Sequence, residues 1–146
     1  MRLLGLNITP ANVWGVEIQS SFRSFEVVGH QNFAVEPGEA SEQAAARLVA
    51  SLPRNPDRIA LTLPSSQVTL RNLTLPMRDK KAIRAAIQFE LEDDLPFQLE
   101  DLVTDHTIIS SSRKKTLAHI ASSRKKHIAA FISRFQDASI DPDLLT

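Results

Sequence analysis

Four histidines, an acidic run and two basic clusters are the residues whose types and spacing could do chemistry here. His106 and His119 fall on the two arms of one expected hairpin, where paired imidazoles could hold a metal. Strand alternation turns Asp105 to the face opposite His106, so a third ligand is missing. His30 and His127 belong to other elements, and ordinary polar or half-buried histidines, with no metal, are the expectation. The acidic run Glu90, Glu92, Asp93, Asp94, Glu100, Asp101 and Asp105 could supply paired carboxylates for acid–base work. Such work needs burial that separates their pKa values, whereas this run straddles a helix end and a turn that water reaches. It reads as a solvated face or a docking surface, because Leu95, Phe97 and Leu99 set apolar anchors among the charges. Arg113-Lys114-Lys115 and Arg124-Lys125-Lys126-His127 look like nucleic-acid footprints, yet no aromatic residue interleaves with them to stack on bases. Ser65, Ser66 and Ser110 to Ser112 lie in turns, without a Gly-x-Ser-x-Gly elbow or a paired histidine. No catalytic residue is expected.

The elements that position these residues must come from 146 residues, enough for one domain or two small subdomains. Apolar content of 42% is sufficient for a packed core. Formal charge is zero, so no global field draws the chain to nucleic acid or an anionic membrane. Cysteine is absent, which excludes disulfides, thiolate metal sites and thiol redox chemistry. No apolar run reaches the roughly 18 residues of a transmembrane helix. Leu3-Leu4-Gly5-Leu6 after Met1-Arg2 is too short and strand-like for a signal peptide. Membrane attachment is expected only through partners or missing segments.

Leu3 to Ile8, Val13 to Ile18 and Phe25 to Val35 read as a three-stranded meander. Ser41 is expected to cap a helix to about Leu52, with Ala44, Ala45, Leu48 and Val49 on its apolar face. Arg58 to Leu63 is a short strand, and Pro64-Ser65-Ser66 marks a boundary. Val68 to Leu75 alternates with a phase change that predicts a bulge near Arg71-Asn72. Asp79 caps a helix to about Asp94, with Ile83, Ile87, Leu91 and Leu95 as its stripe and Ala82, Ala86 and Phe89 widening it. Leu102 to Ser110 and Thr116 to Ser122 form a hairpin, Ser123 caps a last helix bearing Ile128, Phe131, Ile132 and Phe135, and Ile140 to Thr146 adds a strand. The fold class is therefore mixed α/β (α+β). Residues 1–66 open as a partial actin-like, ribonuclease H-like subdomain, and residues 67–146 follow the ferredoxin-like order βαββαβ.

One stretch carries a resemblance. Leu63-Pro64, Val68, Arg71, Leu73, Leu75-Pro76, Glu90, Glu92, Leu95, Pro96, Phe97, Glu100 and Asp101 match a strand–helix–acidic turn pattern in order. The segment resembles the actin-like PilM family of type IV pilus machines and its GspL relatives in type II secretion. That resemblance implies the N-terminal part of a cytoplasmic protein at the inner face of the bacterial inner membrane, without its nucleotide-enclosing second lobe. In the family, a loop similar to Gly-Leu-Asp-Ile-Gly-Ser grips magnesium and phosphate. Here Asn7 replaces the acid, Thr9 crowds the approach, Pro10 removes an amide donor and Trp14 replaces the lysine. The loop reads as a plain turn and no cofactor is expected. The implied function is a non-catalytic scaffold that docks the cytoplasmic tail of an inner-membrane assembly protein, or the secretion ATPase. Arg71, Leu95, Phe97, Gln98, Leu99, Glu100 and Asp101 are the candidate contacts. Exposed apolar surface could also drive a homodimer. The alternatives are a nucleotide-binding actin-like ATPase and a ferredoxin-like module for a ligand or nucleic acid.

Overall fold

Leu4 and Leu6 are buried while Asn7 is exposed, because the first strand packs one face only. In the computed structural model, which describes residues 1–94, 98–112 and 115–146, the elements run β1 (Arg2–Ile8), β2 (Asn12–Ser20), β3 (Phe25–Ala34), α1 (Ser41–Ser51), β4 (Arg58–Leu61), β5 (Thr69–Leu75), α2 (Lys80–Asp94), β6 (Leu102–Ser111), β7 (Thr116–Arg124), α3 (Lys125–Asp137) and β8 (Leu144–Leu145). Short 3-10 turns occupy Ser65–Gln67 and Leu99–Asp101. The chain forms two compact units: Met1–Pro64 with Ala130–Thr146, and Ser65–Ala129.

The first unit is a five-stranded sheet in the order β3-β2-β1-β4-β8. β1, β2 and β3 pair antiparallel, while β4 runs parallel to β1 and β8 parallel to β4. Its core joins Leu4, Leu6, Val13 and Leu61 of the strands to Ala44, Ala45 and Leu48 of α1 and to Phe131, Phe135 and Ile140. The close approach of α1 needs Gly15, where a Cβ would stand 2.8 Å from a Leu48 methyl. Arg2 and the buried Glu17 form an ion pair at 3.1 Å on the same inner face.

This arrangement corrects the expected boundary of the second unit. Residues 130–146 return to the first sheet, so 67–146 is not one unit, and the second sheet has three strands, β5-β7-β6. The cause is visible in two places. Phe131 and Phe135, with ring centroids 4.8 Å apart, are buried in the first core. Asp143 then accepts a 2.8 Å hydrogen bond from the Ile59 N–H and a 2.7 Å bond from Arg58, which holds β8 against β4. Those two donors hold the Asp143 carboxyl below the usual carboxylate range, the Ile59 amide contributing most.

The second core gathers Leu75, Ile83, Ile87, Leu91, Ala118 and Ile120. α2 starts as expected, its Ala82 N–H donating to the Asp79 carboxylate at 2.9 Å. Phe89 does not widen the buried stripe; it is 64% exposed. No bulge interrupts β5, whose register with β7 is continuous from Thr69 opposite Ser122 to Leu75 opposite Thr116. The apparent phase change was a surface leucine, Leu70, at 59% exposure. Bulges lie instead between Glu17 and Ile18 and between Ile108 and Ser110.

Two caps also differ. Ala40 precedes α1 and the Gln43 side-chain carbonyl accepts its N–H at 3.2 Å, so Ser41 is the first helical residue. β7 continues to Arg124, so Ser123 is a strand residue and not the cap of α3. α3 ends with Ile140 N–H donating to the Phe135 carbonyl and Ser139 N–H to the Gln136 carbonyl. Ser139 takes φ 62° there, the left-handed position that closes a Schellman turn and drops Ile140 into the core.

Candidate partner-docking site

The sequence-expected contacts distribute around one end of the second unit. Arg71 is half-buried on β5, opposite Ile120, and so shares a face with Thr69 two residues earlier. Gln98 is exposed, Leu99 is half-buried against the second core, and Glu100 and Asp101 are exposed in the turn that leads into β6. Leu95 and Phe97 lie outside the described residues. The turn therefore presents two carboxylates beside one half-buried leucine.

Next to that turn is a pocket of about 230 Å³ lined by residues that sequence reasoning missed. Leu102, the residue after Asp101, lines it together with Gln67, Thr69, Ser122, Ser123 and His127. The registers explain how Thr69, Ser122 and Leu102 meet, while Ser123, opposite Val103, is one residue out of step with them. Thr69 and Thr104 both stand opposite Ser122, and Leu102 stands opposite Arg124. Ser123 is only 7% exposed, and its hydroxyl makes no hydrogen bond. The Gln67 side-chain carbonyl is likewise buried without a partner. A buried, unpaired polar atom costs about 1–3 kcal/mol, and two of the residues lining this pocket, Gln67 and Ser123, each carry one. The only sequence signal was a Ser122-Ser123 pair ending an otherwise apolar strand, which reads equally well as a capping serine.

The histidines do not form a metal site. His106 stands opposite Ile120 and His119 opposite Thr107, so the two rings occupy opposite faces of the sheet. His119 Nδ1 lies 2.7 Å from the Asn72 side-chain oxygen. No group of three metal-ligating side chains occurs among the described residues.

At the turn between β1 and β2, Thr9 N–H donates to the Asn12 carbonyl at 2.9 Å, as does the Thr9 hydroxyl at 3.0 Å. Asn12 N–H donates back to the Thr9 oxygen at 3.0 Å. Pro10 has no N–H to offer. Asn7 and Trp14 face each other across the hairpin on the outer side of the sheet. The backbone donors that a phosphate would need at Thr9 and Asn12 are thus engaged within the turn.

A sheet ordered β3-β2-β1-β4-β8, with a small α/β unit inserted between β4 and α3, defines a partial actin-like fold of the α+β class. Solved structures share it. The PilM-PilN type IV pilus biogenesis complex superposes with a TM-score of 0.75 at 20% identity, over 98% of this chain and 46% of that one. The cytoplasmic domain of EpsL, an inner membrane component of the type II secretion system of Vibrio cholerae, superposes with a TM-score of 0.64 at 15% identity, over 99% and 57%. The chain spans about half the length of each. Comparison with curated protein sequences found no match. Residues 21–146 match the family described as type II secretion system (T2SS), protein L, and the chain belongs to that family. No helix among the described residues is long and apolar enough to cross a membrane.

Proposed function

We propose that this chain is a non-catalytic docking module of a type II secretion assembly platform, held at the cytoplasmic face of the inner membrane through its partners. The occupant is a short extended segment of a partner, the cytoplasmic tail of an inner-membrane assembly protein or a segment of the secretion ATPase. The observation that carries this reading is that two residues lining the pocket, Ser123 and Gln67, each hold a buried polar atom without a hydrogen bond, the Ser123 hydroxyl and the Gln67 carbonyl. One donor and one acceptor match the C=O and N–H of a peptide backbone. Leu99, with Leu95 and Phe97, supplies the apolar anchors, while Arg71, Gln98, Glu100 and Asp101 set register and orientation. One similar structure is itself a complex, of PilM with PilN.

Pull-down with the cytoplasmic tails of inner-membrane assembly proteins tests this reading. Ser123→Val is expected to lower capture about tenfold without lowering the melting temperature, since it deletes an unpaired buried hydroxyl. Glu100→Lys is expected to weaken capture as well. Undiminished capture by both variants would remove the pocket from the interface.

A homodimer is the second reading, favoured by one face of the first sheet. Trp14 and Val16 on β2, Val27 and Phe25 on β3, and Leu144 on β8 are exposed on its outer side, with Phe25 at 78%. Sheets with parallel strands are normally covered on both faces. Sedimentation equilibrium is expected to show a concentration-dependent dimer that Trp14→Glu with Val27→Lys reduces to monomer. A monomer at all concentrations would exclude it.

A further inference from the structure

The charges of α2 run against its own dipole. It opens with Lys80, Lys81 and Arg84, carries no acid in its first turn, and has no base in its last. Cations at a helix N-terminus are unfavourable by a few tenths of a kcal/mol each, so stability does not explain them. Asp79 offsets part of this by accepting the Ala82 N–H. None of the three cations forms an ion pair with a described residue.

These side chains line a groove of about 400 Å³ between the start of α2 and β6. Ile83, His106 and Ile108 complete it, and no acidic residue is among its lining. His106 and Ile108 share the inner face of β6, opposite Ile120 and Ala118, which turns them toward the helix. Ile83 is nearly fully buried and Ile108 is exposed, so the apolar part is a recessed floor under a cationic rim.

We propose that this groove binds an acidic peptide segment carrying an aliphatic residue between its carboxylates. The aliphatic side chain sits on Ile83 and Ile108, and the carboxylates meet Lys80, Lys81 and Arg84. The volume suits one or two side chains of a peptide. A membrane surface is disfavoured, because lipid binding needs protruding apolar residues and the floor here is recessed. Nucleic acid is disfavoured by the lack of an aromatic ring in the groove. This surface is separate in residues from the pocket around Ser123, so either can fail alone.

The test is fluorescence anisotropy of the fluorescein-labelled peptide Glu-Asp-Glu-Leu-Asp-Glu on the 146-residue protein. Binding is expected to weaken as salt screens the rim. Lys81→Glu with Arg84→Glu is expected to lower affinity about tenfold or more, and Lys125→Glu with Lys126→Glu, an equal change in net charge, by less than about twofold. All four positions are exposed, and unchanged melting curves confirm that each variant is folded. Equal losses from the two double variants would overturn the proposal by showing diffuse attraction. So would absence of peptide binding, or binding of phosphatidylglycerol vesicles alone that depends on Lys81 and Arg84.

Discussion

Phe135→Ala is expected to destabilise the first unit by about 3–5 kcal/mol. Phe135 is almost completely buried, and its ring packs on Phe131 at 4.8 Å between centroids. Truncation removes the largest side chain of the first core and also the carbonyl-anchored turn's apolar contact with Ile140. Arg134 of the same helix is paired with Glu42 of α1 at 3.0 Å, which adds a small resistance to sliding α3 into the cavity. Hydrogen exchange locates the loss. Protection should fall in β1, β2 and β4 and hold in β5 and β7, whereas Ile87→Ala should do the reverse. Loss confined to β5 and β7 in Phe135→Ala would show that the C-terminal segment belongs to the second unit after all.

Arg2→Ala should cost about 2–4 kcal/mol, because it strands the Glu17 carboxylate inside the first unit. The pair is asymmetric: the Arg2 side chain is 21% exposed and that of Glu17 only 7%. Water therefore softens the loss on one side only. Gly29 makes the room that Glu17 occupies, since a Cβ there would lie 2.9 Å from its carboxylate oxygen. The double variant Arg2→Met with Glu17→Leu removes both charges and keeps the volume, so it should recover most of the stability. Chemical denaturation of both variants gives the comparison. A double variant as unstable as Arg2→Ala alone would mean that the pair holds the strand through packing and not through charge compensation.

Neither result depends on the docking reading, and the functional variants do not depend on the core. Ser123 and Glu100 probe the polar pocket and its acidic rim, while Lys81 and Arg84 probe the groove at the other end of α2. If both proposals hold, one surface is polar and the other cationic, so two partners would not compete for the same contacts.

Much of the local structure was legible because it follows from short-range rules. The alternation of Leu4 and Leu6, the four-residue spacing of Ile83, Ile87 and Leu91, and the Asp79 cap each depend on neighbours within about one turn of chain. The expectation drawn from Asn7, Thr9, Pro10 and Trp14 rests likewise on residue type, since an absent charge and an absent N–H are properties of type. Tertiary structure alone decided the rest. Whether Ile140 to Thr146 joined the first or the second sheet turned on Asp143 meeting Ile59 and Arg58, about eighty residues away in sequence. The unpaired Ser123 hydroxyl became significant only once Gln67, Thr69 and Leu102 were brought to the pocket at that strand end. Long-range registers of this kind are chosen by the summed burial of both units, and no local pattern encodes that sum.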